Sequence, residues 1–440
     1  MANLAVAQNG QPPAGKQSED LKANKSFRFL CIGSLISMLG DQLTLITLPW
    51  LALFLSPEPW VIGSVMAFMA LPMSIFMLFG GAIVDRYSAK QVLFVSKCIN
   101  TLLMLALALL LYKNLLTLPW LYLFVLLIGT SSAFAIPAGA ALLPQIVKPQ
   151  ALPMANGIGM TLRSLTTLIG PLLAALLLGW EFSVSNDSAQ NTSSFNLVLV
   201  FALDAVSFAI SAFLLKYIHL SDPKTSRSDS VVRNIVSGLQ HFWSLKELRL
   251  LVIYIALITS FLGGMMQVGL PLLVKSQWNE GADVFGLLMA ALALGNIMGM
   301  FIAAKTSMSR RLSLGLSILL ADLTVGVVLM LLSETSVIWH GICALGLMGV
   351  LAGYVQIMFI SWVQQQAKRE MLGRLMSIVM FGLVGLLPLG TALTGVVLQK
   401  FSVGDFFLIS GGLLCMVAIM TMCFSEIPSI KNANLPIQAN

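Results

Sequence analysis

Twelve apolar runs, each long enough to cross a lipid bilayer, succeed one another along the 440 residues of this chain. They fall near 27–54, 60–84, 91–112, 119–142, 154–179, 196–216, 248–274, 282–304, 312–333, 337–362, 372–398 and 403–425. A span needs about 20 apolar residues in helical form, because only a helix satisfies its own backbone polar groups inside lipid. Turn formers such as Ser56-Pro57-Glu58-Pro59 and Asn279-Glu280-Gly281 punctuate the runs. Hydrophobic residues make up 58% of the chain and charged ones 10%, against about 45–50% and 25% in soluble proteins. A soluble fold of this length could not bury so much apolar surface, so the second solvent is lipid. The spacing predicts a disordered cytoplasmic tail over 1–26, six spans within 27–216, a cytoplasmic linker over 217–247, six spans within 248–425 and a cytoplasmic tail over 426–440. Neither the tails nor the linker is long enough for a soluble catalytic domain, and the opening residues do not read as a cleavable signal peptide. In the linker, Val231, Val232, Ile235, Val236, Leu239, Phe242 and Trp243 have the spacing of an amphipathic helix lying on the membrane face.

The net charge of +7 is a statement about orientation. With the first tail placed in the cytoplasm, 21 of the 25 Lys and Arg residues fall on the cytoplasmic side, Arg86, Lys90 and Lys97 among them. Three (Lys113, Lys275 and Lys400) fall outside, and Arg163 lies within a span. That bias predicts both termini in the cytoplasm and leaves no support for nucleic-acid binding. The five cysteines lie in apolar runs without metal or redox spacing, and the three histidines sit at helix ends or in the linker. No Gly-x4-Gly-Lys-Ser/Thr loop for ATP is present, nor a convergent set of nucleophile, base and metal ligands. The expectation is therefore not an enzyme but a multi-pass membrane protein without cofactor or metal.

Between the second and third runs, Gly81, Asp85, Arg86 and Lys90 are spaced as Gly-x-x-x-Asp-Arg-x-x-x-Lys, which resembles the signature of the major facilitator superfamily. In the fifth run Gly157, Thr166, Gly170, Pro171, Ala174 and Ala175 resemble the antiporter motif of that superfamily. Thr166, Ala174 and Ala175 stand where the motif has Gly, and all three are small enough for close helix packing. Leu39-Gly40-Asp41, Ala135-Ile136-Pro137-Ala138 and Leu372-Gly373-Arg374-Leu375-Met376-Ser377 are similar to the macrolide-efflux and enterobactin-export branch, the drug:proton antiporters. The resemblance covers about 27 to 425. It implies an all-α integral membrane fold of two six-helix bundles around a cavity lined by helices 1, 4, 7 and 10. It also implies a latch, in which Asp85 and Arg86 meet the start of the eleventh helix around Gly373 and Arg374 when the cytoplasmic side closes. The function expected on these grounds is export of small amphipathic molecules by alternating access, by a monomer in a bacterial inner membrane with the proton gradient as energy source. A lysophospholipid or siderophore cargo is the alternative.

Asp41 carries the most information. A carboxylate near mid-membrane costs roughly 2.5–3.5 kcal/mol on insertion scales and marks a function by default. Ser34, Ser37 and Thr44 share its helix face, and Asp41 is the expected proton-coupling group. Arg163, a charge partner, can reach Asp41 or Asp204, and the sequence does not choose. Asp204 and Asp322 lie in runs that the family fold places at the periphery, as structural partners, and Asp322 has no evident basic partner. The expected substrate cavity takes Gln42, Thr130, Ser132 and Phe134 from the first half. From the second it takes Tyr254, Met265, Met266, Gln267, Tyr354, Gln356, Phe359 and Trp362. This is a mostly apolar set with flexible Met and scattered uncharged polar groups.

Overall fold

The computed structural model describes residues 21, 23–148, 151–179, 189–220, 240, 242–305, 313–335, 337–366 and 372–430. Within its helices the side chains of 77–86, 153, 179, 189–194, 304–305, 365–366, 372–374, 376–377, 380 and 384 are not described. Most of the expected amphipathic linker helix, residues 231–239, lies outside the described residues.

The described residues are helical, with no strand among them. The first six long helices are α1 (Lys25–Leu55), α2 (Pro59–Arg86), α3 (Ala89–Tyr112), α4 (Leu118–Ile146), α5 (Leu152–Gly179) and α6 (Ala189–Lys216). The second six are α7 (Lys246–Gly264), α8 (Ala282–Lys305), α9 (Leu314–Glu334), α10 (Ile338–Gln366), α11 (Leu372–Gly385, resumed as Leu387–Val397) and α12 (Val403–Phe424). Eleven are long and apolar enough to cross a membrane, and the broken α11 supplies a shorter apolar helix. Caps end them as local chemistry requires: Asn24, Ser313 and Ser402 each accept a backbone N–H of the first turn.

Two irregular stretches depart from the run-length reading. Past Gly264, α7 continues through two π turns, Met265–Gly269 and Leu273–Gln277, around Leu270–Leu272. Pro271 has no N–H for the regular ladder, and Gly264 packs so closely that an added Cβ would overlap the Gly390 carbonyl of α11. α11 breaks at Leu386, whose carbonyl accepts from the Leu389 and Gly390 N–H groups and, at 2.5 Å, from Ser260 Oγ of α7.

In the first bundle α1 packs against α5 and α6, α2 against α4, and α3 against α4 and α6; in the second, α8 packs against α10, α9 against α12, and α7 against α11. The buried side chains form three cores. One core runs through both bundles on the face away from the chain ends, with Leu51, Ile62, Phe201, Met265, Phe285 and Phe407 among its members. On the face where α1 begins and α12 ends, each bundle has a core of its own. One contains Phe27, Leu93, Leu142 and Ile218; the other contains Phe242, Leu251, Ile318, Trp362 and Ile430. Among the described residues the bundles therefore share a core on one face and keep separate cores on the other. Glycines allow that meeting: at Gly63 of α2 a Cβ would stand 2.6 Å from the Thr391 carbonyl, and at Gly286 of α8 it would stand 2.7 Å from the Pro171 carbonyl. The Trp50 and Phe285 rings close the same side, with centroids 6.5 Å apart.

Candidate functional site

α1 carries Asp41 sixteen residues past Lys25, about 24 Å along the helix at 1.5 Å per residue. The surrounding helices enclose this side chain, yet it is exposed rather than packed against its neighbours. The cations whose fields act on it are Lys97 of α3 and Arg163 of α5. Asp204 of α6 lies next to it and is fully buried. Thr44 Oγ1 donates to one Asp204 carboxylate oxygen at 2.5 Å, and the Ser207 hydroxyl is shared between the Asp204 backbone carbonyl at 2.8 Å and the other carboxylate oxygen at 3.0 Å. The Asp204 carboxylate occupies the space a side chain at residue 40 would take. The Gly before Asp41 thus lets α1 and α6 close on each other.

Lys97 is the member that sequence reasoning misplaced. Counted there with the cytoplasmic residues, it instead lies eight residues into α3, about 12 Å from the helix start, with its head inside the bundle. Nζ donates to Ser37 Oγ at 3.0 Å and sits 4.7 Å from the centre of the Phe208 ring. Its field reaches both Asp41 and Asp204. A signal was present: Ser96, Lys97, Asn100 and Thr101 gather polar groups on one side of an otherwise apolar helix. Arg163, expected as the only deep cation, is exposed; its field acts on Asp41 and not on Asp204. Among the described residues neither cation forms an ion pair within 4.0 Å; the pair that does form, Lys246–Glu426 at 2.7 Å, joins the start of α7 to the segment just past α12.

The antiporter-like stretch of α5 divides in two. Its second half is packed: a Cβ at Gly170 would overlap the Gln42 side chain of α1, Thr166 and Ala174 are buried, and the Pro171 carbonyl abuts α8. Its first half is open, with nothing within 4 Å of a Cβ at Gly157. Between the halves, Thr166 and Thr167 both donate to the Arg163 carbonyl, at 2.8 and 2.9 Å, a pattern that bends helices.

Of the expected latch, the side chains of Gly81, Asp85, Arg86, Gly373 and Arg374 lie outside the described residues. Lys90 is described, and it works within the first bundle. Its Nζ donates to the carbonyls of Lys216 at 3.3 Å and Ile218 at 2.7 Å, capping the end of α6 where cations are favoured.

The expected cavity needs correction. Tyr254 is buried, its hydroxyl donating to Asp322 Oδ2 of α9 at 2.8 Å. Asp322 thus has a partner, a phenol rather than a cation. Met265 is buried in the shared core, and Phe359 and Trp362 are buried in the core of the second bundle. Large apolar side chains there were worth more as packing than as lining. Phe134 stacks at 6.1 Å on Phe76 of α2, and Thr130 Oγ1 turns back to the Leu126 carbonyl at 2.8 Å. Gln42, Ser132, Met266, Gln267 and Tyr354 are half-buried, and Gln356 is exposed. A separate groove of about 440 Å³ lies between α7, α11 and α12, lined by exposed Leu257, Leu389, Leu393 and Ile409. It belongs to the outer flank of the second bundle and has no ionisable lining.

Residues 30–389 match the family model of the Major Facilitator Superfamily. The chain belongs to that superfamily. Among curated relatives, macrolide efflux protein A of Streptococcus pyogenes is 23% identical over 362 residues, 81% of this chain and 85% of its own length. The enterobactin exporter EntS of Shigella boydii serotype 4 is 24% identical over 426 residues, 93% of this chain and 95% of its own. Solved structures share the fold: an auto-inhibited POT family peptide transporter superposes with a TM-score of 0.70 at 12% identity, covering 94% of this chain and 99% of its own. The nucleoside transporter NupG superposes with a TM-score of 0.66 at 12% identity, covering 90% and 98%. This superfamily member is a multi-pass membrane protein whose relatives are transporters, and the efflux proteins among them place it with secondary transporters of small molecules.

Proposed function

We propose that this protein is a proton-coupled exporter of amphipathic small molecules that works by alternating access in a bacterial inner membrane, with both termini in the cytoplasm. The observation that carries the reading is Asp41: an acid deep in α1, enclosed and still exposed, with Lys97 and Arg163 facing it. Intramembrane acids of that kind serve proton relays. The core shared on one face and the separate cores on the other, among the described residues, support a state open towards the termini, from which proton and cargo exchange with the cytoplasm. The relatives named for macrolide and enterobactin support a bulky cargo leaving the cell. A siderophore is the narrower version of the same reading, and the long match to EntS favours it over a lysophospholipid. The chain works as a monomer, needs no cofactor and catalyses no reaction.

The test is transport of a fluorescent amphipathic dye, and separately of a macrolide and a catecholate siderophore, in liposomes holding the purified protein under an imposed pH gradient. Wild type concentrates its cargo, and a protonophore abolishes that. Asp41→Asn still equilibrates cargo but does not concentrate it. Proton-driven accumulation by Asp41→Asn would refute the assignment.

A further inference from the structure

Resting on the reading of Asp41 as proton carrier, we propose that Lys97 and Asp204 are positioning residues that set the proton affinity of Asp41 with opposite sign, Lys97 as a counter-ion shared between the two carboxylates. The geometry gives each a fixed place beside Asp41. Ser37, which holds the Lys97 ammonium at 3.0 Å, stands one helical turn before Asp41 on the same face of α1, about 6 Å along the axis. Asp204 rests on Gly40, the residue before Asp41, and is held by Thr44, the next turn of the same face. Two carboxylates and one ammonium therefore lie within about one turn of each other, and the ammonium is bonded to a hydroxyl rather than to either acid.

Asp204 and Asp41 differ in access. Asp204 is fully buried, with the Thr44 and Ser207 hydroxyls at its two oxygens, and has no exposed surface of its own. Asp41 is exposed and can exchange protons. Lys97 is tied to neither acid: its ammonium is held by the Ser37 hydroxyl at 3.0 Å, and its field acts on both carboxylates. When Asp41 loses its proton, the ammonium moves towards it; when Asp41 is protonated, the ammonium serves Asp204. Charged groups facing Asp41 come from three helices, Lys97 from α3, Arg163 from α5 and Asp204 from α6. α4 carries no Asp, Glu, Lys, Arg or His at all. Arg163 is exposed and solvated, so it weighs less than Lys97.

The experiment is the pH profile of transport by the full chain in liposomes, for wild type, Lys97→Met, Lys97→Arg, Asp204→Asn and the double variant Lys97→Met/Asp204→Asn. The single-charge variants move the midpoint in opposite directions. Removing the cation shifts it to higher pH and removing the buried anion shifts it to lower pH. Each shift is about one pH unit, as for a unit charge within about 10 Å at an effective dielectric near 20. Lys97→Arg stays near wild type, and the double variant returns towards it. A merely structural role would lower activity without a signed shift. Folded variants with unmoved midpoints, or with both midpoints moved the same way, overturn the proposal. Should Lys97→Met not fold, Asp204→Asn decides alone: a shift to lower pH supports the proposal and an unmoved midpoint overturns it. Asp41→Asn separates the two readings. If it retains proton-driven flux, the parent reading falls; if it loses that flux while the Lys97 and Asp204 variants keep the wild-type midpoint, only this proposal falls.

Discussion

Substituting Gly40→Ala adds one methyl group at the place where α1 and α6 are closest around the charged cluster. Its Cβ would overlap an Asp204 carboxylate oxygen and the Ser207 hydroxyl and would stand 3.0 Å from Asp204 Cγ. These atoms are ends of side chains, which ordinarily swing aside at small cost. Here that movement has a cost, because the Thr44 hydroxyl donates to the carboxylate at 2.5 Å and Ser207 stands on its other side. Either the helices separate, an overpacking cost of about 1–3 kcal/mol, or the carboxylate turns away and loses a charge-assisted hydrogen bond worth about 1.5–3 kcal/mol. The cost is therefore about 1–3 kcal/mol if one response suffices and about 2.5–6 kcal/mol if both occur, offset by the about 0.8–1.0 kcal/mol that Ala gains over Gly in a helix interior. The control is Gly157→Ala in α5, where nothing lies within 4 Å of the added Cβ. Ala is about 0.8–1.0 kcal/mol better than Gly in a helix interior, so that variant should be neutral or slightly stabilised. Thermal unfolding of the two purified variants in one detergent, read by intrinsic fluorescence, gives the comparison. Gly40→Ala unfolds at a clearly lower temperature than wild type, and Gly157→Ala does not. Equal midpoints for the two would show that the α1–α6 contact is not tight and would remove the physical basis given for the Asp204 site.

Tyr254→Phe removes the hydroxyl that serves Asp322 and leaves a carboxyl without its donor, a loss of about 1–3 kcal/mol in the same unfolding assay; Tyr254→Phe combined with Asp322→Leu should recover part of it. Cysteine placed at Met160, which is 64% exposed on the open half of α5, should react fast with a membrane-impermeant maleimide applied from the terminus side, in a chain freed of its five native cysteines. Cysteine at Ala174, which is 0% exposed, should stay protected under the same conditions, and equal labelling of the two would contradict a joined face opposite the termini.

How far the sequence could be read depended on whether a property is local. Spans are local, since each is a run of apolar residues meeting a fixed thickness, and α1 to α12 lie where those runs lie. The polar stripe of Ser37, Asp41 and Thr44 was local too, because helical spacing alone puts these residues on one face. What the stripe faces was not local. Ser37 meets Lys97 from 60 positions away and Thr44 meets Asp204 from 160 away, and no periodicity in α1 specifies either. Lys97 was misassigned for a physical reason: a lysine two turns into a helix is as compatible with a head reaching out to water as with one reaching inward, and only its neighbours decide. The buried Tyr254, Met265 and Phe359 were read as lining for the same reason, since an apolar helix facing a cavity and one facing a core have the same composition.

The core shared by the two bundles has a thermal consequence. Opening that face exchanges apolar contact for water, and such exposure raises heat capacity. A transport cycle limited by that opening has a temperature-dependent activation enthalpy, so the logarithm of its turnover bends against reciprocal temperature. Smaller side chains at the Trp50–Phe285 seam would straighten the plot by leaving less oil to wet.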